Sequence, residues 1–293
     1  MDEMPEGPEV QQVLNSLEPK IMGKQIIHVE VYKPKITIPL KSEGRQDVFM
    51  FRQRLEGAIF HSLERRGKYL VFHCMQQNSS AIYMVSHLGM TGGFFNITSF
   101  DQIPDQYRKH VHIIFTLNND TQLVYSDQRR FGWVGALTQD EYLAYEPVQN
   151  VGPDPSEPDA ELRFLENMRK KQNMNKPIKS VIMQPFNVQG VGNIYAAECL
   201  FLARIHPLTP VKELSDEKLL ELLKHIKETF KLAIELGGSS IRDYVNSEGK
   251  KGTFQELHRM YNKKTCPECG GDIENIKIDS RSSFFCPNCQ KMN

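Results

Sequence analysis

Cys266, Cys269, Cys286 and Cys289 stand as two CxxC pairs with sixteen residues between them, CPECGGDIENIKIDSRSSFFCPNC. Four thiolates at that spacing can meet tetrahedrally around one zinc ion and supply folding energy to a segment too short to build its own core. A site closed by four cysteines has no open coordination position, so one structural zinc is expected. Clustering near one end argues against a disulfide framework, which is normally dispersed. Cys74 and Cys199, isolated in apolar stretches, are expected to be buried core thiols. Between the knuckles SRSSFF reads as a β-hairpin that points Arg281 outward, a solvated arginine or one that meets a partner.

Three other stretches could do chemistry. GVGN at residues 190–193 allows a tight turn before a helix, whose free N–H groups suit an anion such as phosphate; a plain GxG turn is the alternative. RRGK (65–68) and DQRRFGW (127–133) are compact basic clusters, and Phe131 in the second could wedge into a base stack. Both also read as solvated surface charge. At the start, MDEMPEGPEV puts Met4 directly before Pro5. That junction matters if the Pro5 nitrogen must be a chain terminus.

The elements that must hold these residues follow from period. EVQQVLNSLEPKIMG places Val10, Val13, Leu14 and Leu17 on one helical face, with Pro8 in the first turn and Gly23 beyond the end. The next hundred residues turn to strands: IIHVEV, with Ile27, Val29 and Val31 on one face, then KYLVFH, AIYMVSHL and HVHIIFTL. The NND of residues 118–120 reads as a hairpin turn into TQLVYS. The proline-rich stretch PVQNVGPDPSEPD (147–159) is the expected linker. Helical patterns follow in AELRFLENMRK, KSVIMQP, NIYAAECLFLARI and SDEKLLELLKHIKETFKLAIELGG. The last has Ser215 as N-cap, a stripe of Leu219, Leu222, Leu223, Ile226 and Phe230, and a stop at Gly237 and Gly238.

The expected fold class is therefore α+β and multidomain: a mostly β body (1–148) with helices at its flanks, a helical domain (149–262) and a four-cysteine zinc finger (263–293). With 293 residues, two compact domains and a small third fit the length. Lys and Arg total 36, as do Asp and Glu, so net charge is zero and any surface for nucleic acid must be local. A mean hydropathy of −0.46 and the lack of a long apolar run predict an intracellular protein without a membrane partner. Nothing calls for an assembly larger than a monomer.

In order and over nearly the whole length, MPEGPEV, RRGKYL, SHLGMTG, DQRRFGW, IKSVIM, GVGNIYAAE and SRSSFFCPNCQK resemble the formamidopyrimidine-DNA glycosylase and endonuclease VIII family. The resemblance implies a β-sandwich, a helix-two-turn-helix domain and a zinc finger, with double-stranded DNA carrying an oxidised base or abasic site as partner. It implies a bifunctional DNA glycosylase and AP lyase acting through β,δ-elimination. Pro5 is then the nucleophile, its terminal secondary amine attacking sugar C1′ to give an iminium. An amide nitrogen could not do so. Met1, Asp2 and Glu3 are accordingly expected to be an upstream start or a leader that is lost.

By the same resemblance Glu6 opens the sugar ring and shuttles protons, Lys68 donates a proton in β-elimination, and Arg281 acts in δ-elimination and grips phosphate. Lys179 and Asn193 bind backbone phosphates, and His110 and Arg129 contact DNA. Met90, Arg129 and Phe131 fill the void left by a flipped base, as a flipped-out target requires. MPEGPE leans toward endonuclease VIII and oxidised pyrimidines. SHLGMTG, DQRRFGW and GGSSIRDYVNSEGKKGTF (237–254) lean toward the purine lesions 8-oxoguanine and formamidopyrimidine, which is the expected preference. QPFNVQ after IKSVIM departs from the relatives' acid-bearing stretch. The competing expectations are a catalytically silent damaged-DNA-binding protein on the same scaffold and an unrelated zinc-ribbon interaction module.

Overall fold

The computed structural model describes residues 4–36, 39–40, 44–45, 47–240 and 244–292. Met1 to Glu3, whose loss is expected, and Ile241 to Asp243 of the 237–254 stretch lie outside the described residues. Packing divides the chain into two units. The first holds residues up to Pro5, 9–149 and 237–252; the second holds 6–8, 150–236 and 253–293.

In the first unit α1 (Gly7–Ile21) precedes β1 (Ile26–Val31), the short pair β2 (Pro39–Leu40) and β3 (Gly44–Arg45), and α2 (Val48–Leu55). Strands β4 (Ile59–Arg66), β5 (Tyr69–Met75), β6 (Ala81–His87) and β7 (Gly92–Ile97) follow, then α3 (Asp105–Arg108), β8 (Val111–Leu117), β9 (Gln122–Asp127) and β10 (Trp133–Thr138). Helices α4 (Gln139–Leu143) and α5 (Glu146–Gln149) close it. The long strands form two antiparallel four-stranded sheets, ordered β1-β8-β9-β7 and β10-β6-β5-β4. Side chains of both sheets, among them Val29, Phe115 and Tyr125 facing Phe60, Phe72 and Met84, join Val10, Val13, Leu14 and Leu17 of α1 in one core. This is the expected sandwich with flanking helices.

β1 departs from simple alternation. Ile26 and Val29 are buried, whereas Ile27 is 53% exposed. The pairing with β8 shifts between Ile26 and His28, and the extra residue turns Ile27 to the outside face. Asp120, at φ 61, takes the left-handed position of the expected NND turn.

The second unit carries α6 (Ala160–Met168), α7 (Ile178–Ile182), α8 (Asn193–Leu202), α9 (Asp216–Glu235) and the hairpin β11 (Glu274–Ile278) and β12 (Arg281–Phe285). Ser215 caps α9 by accepting from Lys218 N–H (3.2 Å), and Leu219, Leu222, Leu223, Ile226 and Phe230 all face the core, as their spacing predicts. Cys266 and Cys286 lie in that same core, so the cysteine segment shares its apolar interior with α8 and α9. The boundary between the units falls at 149/150, inside the proline-rich stretch expected as the linker, and the residues that follow it are packed. Gly152 N–H donates to Pro185 O (2.8 Å), Gln189 Nε2 to Gly152 O (2.9 Å) and Gln189 N–H to Pro153 O (3.0 Å). Among the described residues no helix is long and apolar enough to cross a membrane.

Candidate active site and nucleic-acid interface

In the helical unit the GVGN turn meets an anion, and the anion is Glu6. Its Oε2 accepts from Gly192 N–H (2.7 Å) and Tyr195 N–H (3.3 Å), and Oε1 accepts from Ile194 N–H (2.9 Å). These are the unsatisfied donors at the start of α8, where the helix dipole also favours negative charge. The carboxylate comes so close that a Cβ on Gly192 would lie 2.3 Å from Glu6 Cδ, so only glycine fits. Gly7 N–H donates to Gly190 O (2.9 Å), which fixes the backbone beside Glu6 to the same turn. The sequence shows an anion site at GVGN but not that the protein supplies the anion.

Beside this cradle Lys179 is buried at 2% exposure, which is unusual for a lysine. Its Nζ donates to Asn193 Oδ1 (2.6 Å), Ser282 O (2.9 Å) and Ser283 Oγ (2.6 Å). An ammonium has three hydrogens, and these acceptors match all three. Burial pushes the Lys179 pKa down to about 8, with Arg281 adding to the drop and Glu6 and Asp279 opposing it. Lys179 thus joins the first residue of α8 to β12. Arg281 opens β12 and is exposed, after the left-handed pair Asp279 and Ser280 that turns the hairpin.

The four cysteine sulfurs lie within 4.8 Å of one another, with Cys266 to Cys289 at 3.9 Å and Cys269 to Cys286 at 3.5 Å. A tetrahedral zinc with bonds of about 2.3 Å separates its sulfurs by about 3.8 Å, so the quartet fits that ion. Gln290, fully buried, ties the second knuckle to the helices: its Oε1 accepts from Cys286 N–H (2.9 Å) and its Nε2 donates to Ile205 O (2.8 Å). Glu198 on α8 accepts from the N–H groups of Arg259, Met260 and Tyr261, the chain that leads into the finger. Neither Gln290 nor Glu198 is evident from local pattern, because each acts on residues distant in sequence.

In the β unit Lys68, Met90, His110, Arg129 and Phe131 lie on loops at strand ends. Pro5 is half-buried ahead of α1. Lys68 is half-buried in the β4–β5 turn, which Gly67 makes at φ 63. Next to it lies His87, whose pKa burial pushes down to about 4, helped by the Lys68 charge. Its Nδ1 accepts from Gly89 N–H (3.1 Å), at the left-handed start of the loop that carries Met90.

Two buried groups bind that loop to DQRRFGW. Asp127 Oδ1 accepts from Thr91 Oγ1 (2.5 Å) and Arg129 N–H (3.2 Å), while its Oδ2 accepts from Gly132 N–H (2.8 Å). Thr91 Oγ1 in turn accepts from Arg129 N–H (2.9 Å). A Cβ on Gly89 would lie 2.4 Å from Gly132 N, so the two loops touch backbone to backbone. This brings Met90, Arg129 and Phe131 to neighbouring loops. Phe131 is 58% exposed, and the Arg129 guanidinium sits 5.0 Å from its ring centre. His110, partly exposed, accepts Asp127 N–H at its carbonyl (3.0 Å) and so stands beside the same loop. Asp127 and Thr91 carry no signal of their own in the sequence.

A β-sandwich unit, a helical unit and a four-cysteine finger on its core together form the architecture of a base-excision DNA glycosylase. Residues 4–134 match the model of the formamidopyrimidine-DNA glycosylase N-terminal domain, 151–245 its H2TH domain, and 263–291 the zinc finger found in FPG and IleRS. The formamidopyrimidine-DNA glycosylase of Streptococcus pneumoniae is 37% identical over 290 residues, covering 98% of this chain and 99% of that one. That of Bacillus subtilis is 37% identical over 289 residues with the same coverage. A Lactococcus lactis FPG variant solved with Fapy-dG-containing DNA superposes with a TM-score of 0.84 at 34% identity, covering 98% of this chain and 100% of that chain. MutM in complex with DNA containing carbocyclic 8-oxo-G gives 0.83 at 34% identity, with the same coverage. The chain belongs to the formamidopyrimidine-DNA glycosylase family, and its cysteine quartet is a structural zinc centre.

Proposed function

We propose that the protein excises formamidopyrimidine and 8-oxoguanine from double-stranded DNA and then cleaves the backbone at the resulting abasic site, inside the cell and as a monomer. The observation that carries this is the Glu6 carboxylate held by three N–H groups at the start of α8, directly after Pro5 in the chain. When Pro5 is the first residue, its nitrogen lone pair attacks C1′. The bond to the damaged base breaks as the C1′–N bond forms, the amine gives up its proton, and opening of the C1′–O4′ bond turns the adduct into an iminium. Glu6, fixed in place, serves the proton transfers of ring opening. Lys68 supplies a proton in β-elimination, and Arg281 holds phosphate for the second elimination.

Met90, Arg129 and Phe131 enter the space vacated by the extruded nucleotide, with the Thr91 and Asp127 bonds holding their loops. His110 and Asn193 bind the DNA backbone. Lys179 contributes through Asn193 and β12, since its own hydrogens are engaged. Purine-type lesions are favoured over oxidised pyrimidines because the relatives and bound-DNA neighbours carry formamidopyrimidine and 8-oxoguanine in their names.

Borohydride trapping on an abasic-site duplex tests the chemistry. Protein beginning at Pro5 gives a covalent adduct, and protein with one added residue before Pro5 gives none. Absence of adduct from the first form, or full trapping by the second, overturns the terminal-amine mechanism.

A further inference from the structure

Lys68 is the only member of RRGK that the proposed chemistry uses, yet the first arginine of that stretch is engaged more specifically than a surface charge. Arg65, the penultimate residue of β4, is half-buried. Its Nε donates to Gln11 Oε1 on α1 (3.1 Å), and its Nη1 donates to Gly67 O in the turn before Lys68 (2.8 Å). Gln11 is itself oriented, because its Nε2 donates to Asn15 Oδ1 one helical turn on (2.9 Å). Arg66, the neighbouring cation, is directed elsewhere, with Nε donating to Val148 O (3.4 Å). A planar guanidinium fixes the angle between two acceptors in a way that a flexible ammonium does not. Here it fixes the Lys68 turn against the helix that follows Pro5.

We propose that Arg65 is a positioning residue for strand cleavage: through Gln11 and Gly67 it ties the turn bearing Lys68 to α1 and so sets where Lys68 delivers its proton. This rests on the assignment of Lys68 as the proton donor. A turn held from both sides loses little freedom when substrate arrives. Misplacement of a reacting group by about 1 Å can cost about 100-fold in rate. Because the Arg65 bonds to Gln11 and Gly67 hold the turn that bears Lys68, iminium formation and β-elimination separate when it is replaced.

The test uses protein running from Pro5 to Asn293 on an abasic-site duplex, with borohydride trapping, single-turnover strand cleavage and binding measured against KCl. Arg65→Gln is expected to keep wild-type trapping while cleavage slows about tenfold. Gln11→Ala slows cleavage in the same direction, and the double variant is no slower than Arg65→Gln, as two parts of one link require. Arg65→Lys does not restore the rate. Normal cleavage by Arg65→Gln, with Lys68→Ala slow, overturns the inference and leaves Lys68 in its role. Wild-type cleavage by Lys68→Ala overturns the assignment beneath it. A salt dependence of Arg65→Gln shallower by about 0.9 would make Arg65 a phosphate ligand and also overturn the inference. Equal loss of trapping and cleavage would make it a general fold residue, with the same consequence.

Discussion

At Lys179 the loss of one proton should be visible in both activity and stability, with opposite signs. The ammonium is buried and gives all three hydrogens to Asn193, Ser282 and Ser283. Its pKa lies at about 8 instead of the ordinary 10.5, chiefly because burial penalises the charged form. At 1.36 kcal/mol per pH unit that drop corresponds to roughly 3 kcal/mol favouring proton loss in the folded state. Below pH 8 folded and unfolded chains both carry the proton, and the penalty is fully present. Between pH 8 and 10.5 the unfolded chain binds more protons, so this group's contribution to stability rises with pH.

Activity goes the other way. The neutral amine has only two hydrogens for three acceptors, so either Asn193 or the start of β12 is released. If only the ammonium form organises the site, the rate follows its fraction and falls about tenfold per pH unit above 8. Single-turnover excision from an 8-oxoguanine duplex between pH 6 and 9.5 measures this. Lys179→Arg keeps its charge throughout and should lose the alkaline decline. Lys179→Met should be slower at every pH and flat above 8, and its unfolding free energy should lack the wild-type rise. If wild type and Lys179→Met share a decline centred near pH 8, the titrating group is another one and the argument fails.

Two further perturbations probe the scaffold, one in each unit. Gly192→Ala places a methyl 2.3 Å from Glu6 Cδ and should expel the carboxylate, lowering excision about 100-fold with zinc still bound; a normal rate would mean that Glu6 works from another position. Thr91→Val keeps the shape but removes the hydroxyl shared by Asp127 and Arg129, a loss of about 1–3 kcal/mol. It should slow excision of an intact lesion more than cleavage of a ready-made abasic site, and equal effects on the two substrates would separate the loops from base extrusion.

Much of this protein is legible locally. The α9 stripe, its Ser215 cap, the CxxC pairs and the alternating strands are patterns within a few residues, and each element forms where its period places it. The strand prediction fails at Ile27, because a bulge is a property of the pairing with β8 rather than of IIHVEV. The proline-rich 147–159 stretch contains the boundary between the units, but its composition does not reveal that Pro185 accepts from its backbone and that Gln189 donates to it. By itself the sequence determined the elements, the zinc ligands and, through its short motifs, the family. Only the tertiary structure decided that the anion at GVGN is Glu6, that Lys179 gives its hydrogens to Asn193 and β12, and that Thr91 and Asp127 bind the Met90 loop to DQRRFGW. Helical period and metal spacing are short-range constraints written in neighbouring residues. A buried donor must find its acceptor wherever the fold brings one, and for Glu6 and Gly192 that partner is 186 residues away.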